Sequence, residues 1–391
     1  MQLSNRITNI TGGGSDGWDV FYKARAMVTA GVPVTELTIG EHDIRTSDAI
    51  LDAMHGAAKK GHTGYAMVPG TASLRDTVAA RIAERTGVPT TRDNILITPG
   101  GQAALFASHM VACNPGDTAL YVDPYYATYP GTIRGAGAMP KAIVTSPDTA
   151  FQPSRDALKA AAAGARSLLV NTPNNPTGAV YSAETLNGIA TVAKDHDLWL
   201  ISDEVYDTQV WEGAHISPRS LPGMGERTLV VGSMSKSHAM TGSRIGWICG
   251  PEEAIAGLIN LATHTTYGVA GFIQDAAEFA LGQGMDVEEA VAEPFRRRRA
   301  LTIDALAGQN VVRALPAEGA MYVMLDIRAT GMDGNSFANA LLDAEKIAVM
   351  PGESFGQAAA GHLRVAMTVD DDAYVDALRR LVSFAQARVA T

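Results

Sequence analysis

Between about residue 94 and residue 250, short apolar runs alternate with amphipathic stretches. The runs NILIT, TALYV, KAIV, SLLVN, LWLIS, TLVVG and RIGWICG predict strands. Parallel neighbours need a crossover connection, usually a helix, so this rhythm predicts repeated βαβ units and a mainly parallel sheet. Ser154 and Ser182 stand where crossover helices need N-caps. Asp156 and Glu184 follow them in the first turns, where the helix dipole favours negative charge. Helices are therefore expected on both faces of the sheet.

Beyond about residue 252 the pattern changes to long helical stretches, then an AMYVMLDI strand and a NSFANALLDAE helix. Short IAVM and LRVAM strands and a final helix from about Asp371 complete what reads as a smaller α+β unit. The first 45 residues hold an irregular Gly-rich arm, a helix around WDVFYKARAM and an ELTIG strand. The expected division is an arm and the start of a small domain over 1–45, a large domain over 46–285, and a C-terminal small domain over 286–391. No long low-complexity linker and no fixed-period repeat interrupts this, so the domains are expected to pack closely.

Composition narrows the function. Apolar residues are 46% and charged residues 18% of the 391, which fits a globular chain rather than a disordered one. Acids outnumber bases 41 to 31, and the resulting field repels phosphate backbones, so nucleic acid is not an expected partner. The basic run Arg296 to Arg299 follows Glu288, Glu289 and Glu293 and reads as a solvated helix face. Cys113 and Cys249 are far apart, and the nine histidines show no HExxH, so neither a disulfide framework nor a metal site is expected. His238 reads as a packing or surface residue. The N-terminus lacks the basic start and apolar core of a signal peptide, and no run of about 18 apolar residues occurs. A soluble, cytoplasmic protein without a membrane partner is expected.

Three polar segments each follow a strand directly: Asn171 to Gly178 after SLLV, Asp203 to Tyr206 after LWLIS, and Ser233 to Lys236 after TLVVG. Ligands of open α/β sheets bind beyond the carboxyl ends of the strands, so these segments can share one crevice. A fourth, Pro99 to Gln102 after NILIT, opens an apolar helix whose free amides suit a phosphate. Singly, each has an ordinary explanation: a solvated loop lysine, an Asp capping its turn, a Pro-rich loop. The joint arrangement carries the functional reading.

With NTPNNPTG, SDEVY and SMSKSHAMTGSRIGW in this order, the chain resembles the class I and II aminotransferases, from Gly40 to Arg364. The resemblance implies an α/β fold type I enzyme, with a large mainly parallel-sheet domain and a smaller α+β domain. It implies pyridoxal 5'-phosphate held by Lys236 as a Schiff base, and a ping-pong exchange between an amino acid and a 2-oxo acid. A lysine used this way needs a lowered pKa, which a dry site and a nearby cation such as Arg244 provide. Arg244 also matches the family's phosphate clamp, beside Ser233 and the amides of Gly101 and Gln102. Asp203 matches the acid that keeps the pyridine nitrogen protonated, and Asn175 and Tyr206 match the pair that bonds the ring's phenolic oxygen. Tyr126 matches the aromatic that stacks on the ring, with Tyr125 and Tyr129 as near rivals. Arg364 and Gly40, with Asn175, match the residues around the substrate α-carboxylate. Tyr65 matches a residue that reaches the neighbouring subunit's phosphate, which implies a homodimer.

Departures bear on the substrate. The family often reads GEPDF where this chain has Gly40, Glu41, His42, Asp43 and Ile44. The arm GGGSDGWDVFYKARA and the segment SKSHAMTG most resemble the arginine:pyruvate transaminase branch. Gln102 stands where some acidic-substrate relatives carry Lys, and Asp16 and Trp18 suit a cationic or large neutral side chain. A non-acidic amino acid is the favoured donor, with an aspartate aminotransferase and a lyase or decarboxylase on the same cofactor as alternatives. Gly12, Gly14 and Gly17 spell GxGxxG with Glu36 beyond, the signature of a dinucleotide-dependent oxidoreductase. They follow only a short polar segment, which disfavours that reading.

Overall fold

A computed structural model describes residues 1–389. Strand β1 (Thr35–Leu37) precedes β2 (Ile95–Thr98), β3 (Thr118–Asp123), β4 (Met139–Val144), β5 (Ala165–Asn171), β6 (Trp199–Asp203), β7 (Thr228–Ser233) and β8 (Gly246–Cys249). Strands β9 (Arg313–Ala314), β10 (Tyr322–Asp326), β11 (Ile347–Pro351) and β12 (His362–Ala366) follow. The seven apolar runs expected between residues 94 and 250 are the seven strands of one sheet, in the order β2-β8-β7-β6-β5-β3-β4. Only β8 runs against its neighbours, so the carboxyl ends of β2, β5, β6 and β7 share one edge.

Apart from the edge strand β4, these strands are near-continuous apolar runs because both faces of the sheet are covered. Leu168 and Val170 of β5 pack with Leu186 and Ile189 of the helix Ala183–Asp195. Leu169, one residue out of phase, packs on the other face with Leu105 of the helix Gly101–Ala112. Ser154 and Ser182 cap their helices as expected, accepting from the amides of Ala157 and Thr185.

The second sheet has the order β1-β11-β12-β10-β9, with β1 parallel to β11 and the other pairs antiparallel. Residues 35–37 thus pair with residues 347–349, joining the start of the chain to its far end. Phe337 and Leu341 of the helix Gly334–Glu345 and Tyr374, Leu378 and Leu381 of the helix Asp371–Gln386 close its core.

One expectation needs correction, and one disfavoured reading falls away. The basic run is not simply a solvated face, because Arg298 is 3% exposed; its guanidinium is paired with Asp43 and Asp371, which makes burial tolerable. Gly12, Gly14 and Gly17 lie between the short helix Asn5–Thr8 and the helix Asp19–Thr29. A helix rather than a strand precedes them, so the strand-turn-helix that cradles a pyrophosphate is not formed.

Candidate active site

The shared carboxyl edge opens into a cavity of about 280 Å³. Eleven of the residues singled out in the sequence line it: Gly40, Gly101, Gln102, Tyr126, Asn175, Asp203, Tyr206, Ser233, Lys236, Arg244 and Arg364. Tyr65 does not. It is 91% exposed, with its ring against Tyr267 at 5.2 Å.

One end of the cavity is built to hold an anion. Gly100, at φ +80, turns the chain from β2 into the helix Gly101–Ala112, and a Cβ there would overlap the Arg244 guanidinium. The first amides of that helix have no partner within it, and the helix dipole adds positive potential. Ser233 closes β7 and caps the turn Met234–Ser237 through a bond from the Ser235 amide, 3.1 Å. Arg244 reaches the same corner from a left-handed backbone, its Nη1 donating to the Thr241 carbonyl at 2.8 Å.

A buried acid lines the same cavity. Asp203, the last residue of β6, is 4% exposed, and burial pushes its carboxyl up to about 6. The Tyr129 hydroxyl donates to its Oδ2 at 2.7 Å; Tyr126 and Tyr129 both line the cavity, and Tyr129 is the one bound to Asp203. Asn171, paired with Asp203 across β5 and β6, donates from Nδ2 to the Asp203 carbonyl at 2.9 Å. Its Oδ1 accepts from the Asn175 amide at 2.8 Å, which folds the NTPNNPTG loop over the strand ends.

Lys236 also lines the cavity, its Nζ bonded to the Gly40 carbonyl. Its proton affinity is lowered mainly by burial. Of the cations, Arg364 contributes ahead of Arg244, and Tyr322 and Glu41 oppose them. The cation expected to matter most, Arg244, is thus the lesser of the two.

Arg364, 1% exposed, is sandwiched between the rings of Tyr322 and Phe355, at 4.5 and 4.3 Å. Its Nη1 donates to Asn175 Oδ1 at 2.9 Å and its Nη2 to the Thr38 carbonyl, while its Nε is buried without a partner. An orphaned donor on a buried cation fits a carboxylate that arrives with substrate. Tyr322, whose hydroxyl pairs with that of Tyr206 at 3.0 Å, was not singled out in the sequence. Its run AMYVMLDI reads only as a buried strand, and nothing local marks one side chain of such a strand as facing a ligand.

An anion cradle, a buried acid and a lysine of lowered proton affinity, all lining one cavity, fit pyridoxal phosphate as a donor set. Among the described residues no group of three or more His, Cys, Asp or Glu side chains is placed to hold a metal. A second cavity of about 870 Å³ shares Trp18 and Gln102 with the first and is lined also by Asp16, Tyr22, Arg134 and Glu353.

The family model for aminotransferase class I and II matches residues 32–381. The chain is 38% identical over 382 residues to the arginine–pyruvate transaminase of Pseudomonas aeruginosa, covering 97% of each. It is 35% identical over 363 residues to the aspartate/prephenate aminotransferase of Thermus thermophilus, covering 92% of each. The solved aspartate aminotransferase from Thermus thermophilus with maleate superposes with a TM-score of 0.92 at 34% identity, covering 98% of this chain and 100% of that one. Fold, site and relatives agree: the chain belongs to the class I and II aminotransferases, pyridoxal-phosphate-dependent enzymes of fold type I.

Proposed function

We propose that this aminotransferase moves the amino group of a non-acidic L-amino acid to a 2-oxo acid, acting in the cytoplasm as a homodimer. The observation that carries the substrate class is Gln102. Its amide is neutral and already engaged, donating to Thr132 Oγ1 at 2.7 Å and accepting from Thr128 Oγ1 at 3.1 Å. That corner of the cavity offers no cation to a distal carboxylate. The first relative described is named for arginine and pyruvate, which agrees in direction.

In this reading Arg244, Ser233 and the amides of Gly101 and Gln102 hold the cofactor's phosphate. Tyr126 would pack against its ring, Asp203 would keep the ring nitrogen protonated, and Asn175 and Tyr206 would bond the ring oxygen. The bound cofactor supplies an electron sink for the pair left when the substrate's α-proton departs. Arg364 grips the α-carboxylate through its free Nε and its fork, with Gly40 and Asn175 at its side, and so fixes the α-carbon. Lys236 Nζ serves first as the point of attachment and then as the base that takes and returns the α-proton. Phe355 and Tyr322 exclude water from the arginine and strengthen its grip. Tyr65, exposed in one chain, is assigned to the partner's phosphate. Two free, buried cysteines agree with a reducing compartment. The division into 1–45, 46–285 and 286–391 is retained within this reading, since β1 belongs to the sheet of the C-terminal strands.

A dicarboxylate donor is the second reading. Arg134 lines the adjoining cavity and, among the described residues, pairs with no carboxylate. Product analysis separates these. Given one amino acid and no acceptor, the enzyme should yield about one equivalent of its 2-oxo acid per site and stop. Adding a different 2-oxo acid should then release the matching amino acid. Continued turnover on a single substrate would instead identify a lyase or decarboxylase. A clear preference for aspartate over arginine and alanine would favour the dicarboxylate reading.

A further inference from the structure

The helical turn that carries Lys236 stops almost at once. It spans Met234–Ser237, and two residues later Ala239 sits at φ +52. A carbonyl at such a helix end lacks the amide four residues on that would normally bond it. For Lys236 two side chains stand in: His42 Nε2 lies 3.0 Å and Gln209 Nε2 3.2 Å from the Lys236 carbonyl. A carbonyl only accepts, so His42 carries its proton on Nε2; its Nδ1 is buried without a partner. Gln209 is fully buried, and the His42 ring rests edge-on against Phe295 at 5.3 Å.

The two donors reach the carbonyl from segments far apart in the chain. Gln209 comes from the loop after β6, beyond Asp203 and Tyr206. His42 comes from the segment after β1, which is tied down along its length. The Thr38 carbonyl accepts from Arg364, the Gly40 carbonyl from Lys236 Nζ, Asp43 pairs with Arg298 at 2.6 Å, and Thr46 Oγ1 donates to the Ala239 carbonyl at 2.6 Å. The carbonyl and the amine of Lys236 are therefore both bonded to residues 40 and 42 of one fixed strap.

We propose that His42 and Gln209 are positioning residues for Lys236: by capping its main-chain carbonyl they set the position from which Nζ reaches the substrate's α-carbon. The proposal rests on the reading of Lys236 as the reactive amine. Proline, frequent at position 42 in the resembling family, has no donor to offer, so in this chain the histidine adds a constraint that proline cannot supply. A misplacement of about 1 Å at a reacting group costs up to a hundredfold in rate, so the cap should act on kcat rather than on substrate binding.

His42→Phe keeps a ring against Phe295 and removes the donor; His42→Gln removes the ring and keeps a donor. In the holoenzyme, His42→Phe should lower kcat about tenfold with KM for the amino donor within about twofold. It should also raise the pH midpoint of the visible band of the Lys236-linked cofactor, because a loosened turn lets the amine escape the burial that lowers its proton affinity. Glu41, Tyr322, Arg244 and Arg364, the charged and titratable groups that act on the amine, are unchanged in both variants. His42→Gln should recover kcat to within about threefold and return the midpoint. Gln209→Met, nearly isosteric and donor-free, should repeat the His42→Phe pattern and carries the test if the phenylalanine variant does not fold. Wild-type kcat and midpoint in His42→Phe or Gln209→Met would overturn the proposal. So would equal impairment in His42→Gln, which would make the histidine's role one of shape. Borohydride reduction and peptide mapping of the wild type separate the premises. A label on another lysine sinks the Lys236 reading itself, and a label on Lys236 with unaffected variants sinks only the cap.

Discussion

Asp203 is held at a cost that its role explains. Its carboxyl keeps a proton up to about pH 6, against an ordinary value of 3.8, because it is buried at the end of β6 with few donors. The native state therefore binds this proton more tightly than the unfolded chain does. The associated stability is full below pH 3.8 and is lost as pH rises to about 6. A shift of roughly two pH units corresponds to about 3 kcal/mol. In the cofactor-free protein, Asp203→Asn should then raise stability at pH 7.5 by up to about 3 kcal/mol and change little near pH 4. In the holoenzyme the same change should slow amino transfer by orders of magnitude, since a neutral amide cannot hold a proton on the ring nitrogen. Thermal melts at the two pH values and single-turnover rates check both halves. A variant no more stable at pH 7.5, or one with near wild-type rates, would contradict the assignment.

At the scale of elements, the N-terminal arm decides the outer shape of the site. Asp16 accepts from the Trp18 amide at 3.0 Å and from the Tyr22 hydroxyl at 3.1 Å, turning the chain so that Trp18 reaches the active-site cavity. Asp16 itself lines only the adjoining cavity, together with Glu353 and with Arg134, which opposes them in charge. The two acids outweigh the one arginine, so a cationic side chain extended past Trp18 meets net negative charge. Asp16→Asn keeps the turn-forming oxygen and removes the charge. It should lower kcat/KM for arginine about tenfold and leave alanine within about twofold, as expected for loss of one partly exposed charge contact. Steady-state kinetics with both donors tests this, and equal losses for the two would reduce Asp16 to a turn residue.

Across the whole molecule, an apolar patch outside the cavity has no role in a single chain. Tyr65, Met67 and Tyr267 are 91%, 70% and 53% exposed, and a monomer rarely leaves such large side chains grouped in water. The proposed homodimer would cover them and bring Tyr65 to the partner's phosphate. Sedimentation should give a dimer of about 82 kDa, twice the 41.0 kDa chain, at micromolar concentration. Tyr65→Phe should weaken cofactor retention about tenfold without dissociating that dimer, as loss of a hydrogen bond to a charged group predicts. A fully active monomer would rule out both statements.

The large sheet was legible because its strands are buried on both faces, so an unbroken apolar run such as SLLVN marks strand and position together. Ser154 and Ser182 marked their helix starts for an equally local reason, a side-chain oxygen three residues from the amide it caps. Lys236, Asp203, Asn175 and Arg244 could be picked out as residues of one cavity because they lie at or near strand ends, where polar segments interrupt the apolar runs. Other features depended on contacts between segments far apart in sequence. Tyr322 faces the site from a wholly buried strand, Arg298 is internal because Asp43 lies 255 residues away, and Tyr129 rather than Tyr126 takes the Asp203 carboxyl. The sequence by itself determined the fold class and the cofactor and pointed to one lysine, because these depend on periodicity and on residues close along the chain. Only the tertiary structure decided what surrounds that lysine, because Gly40, His42, Gln209 and Arg364 meet it through pairings that no local pattern encodes.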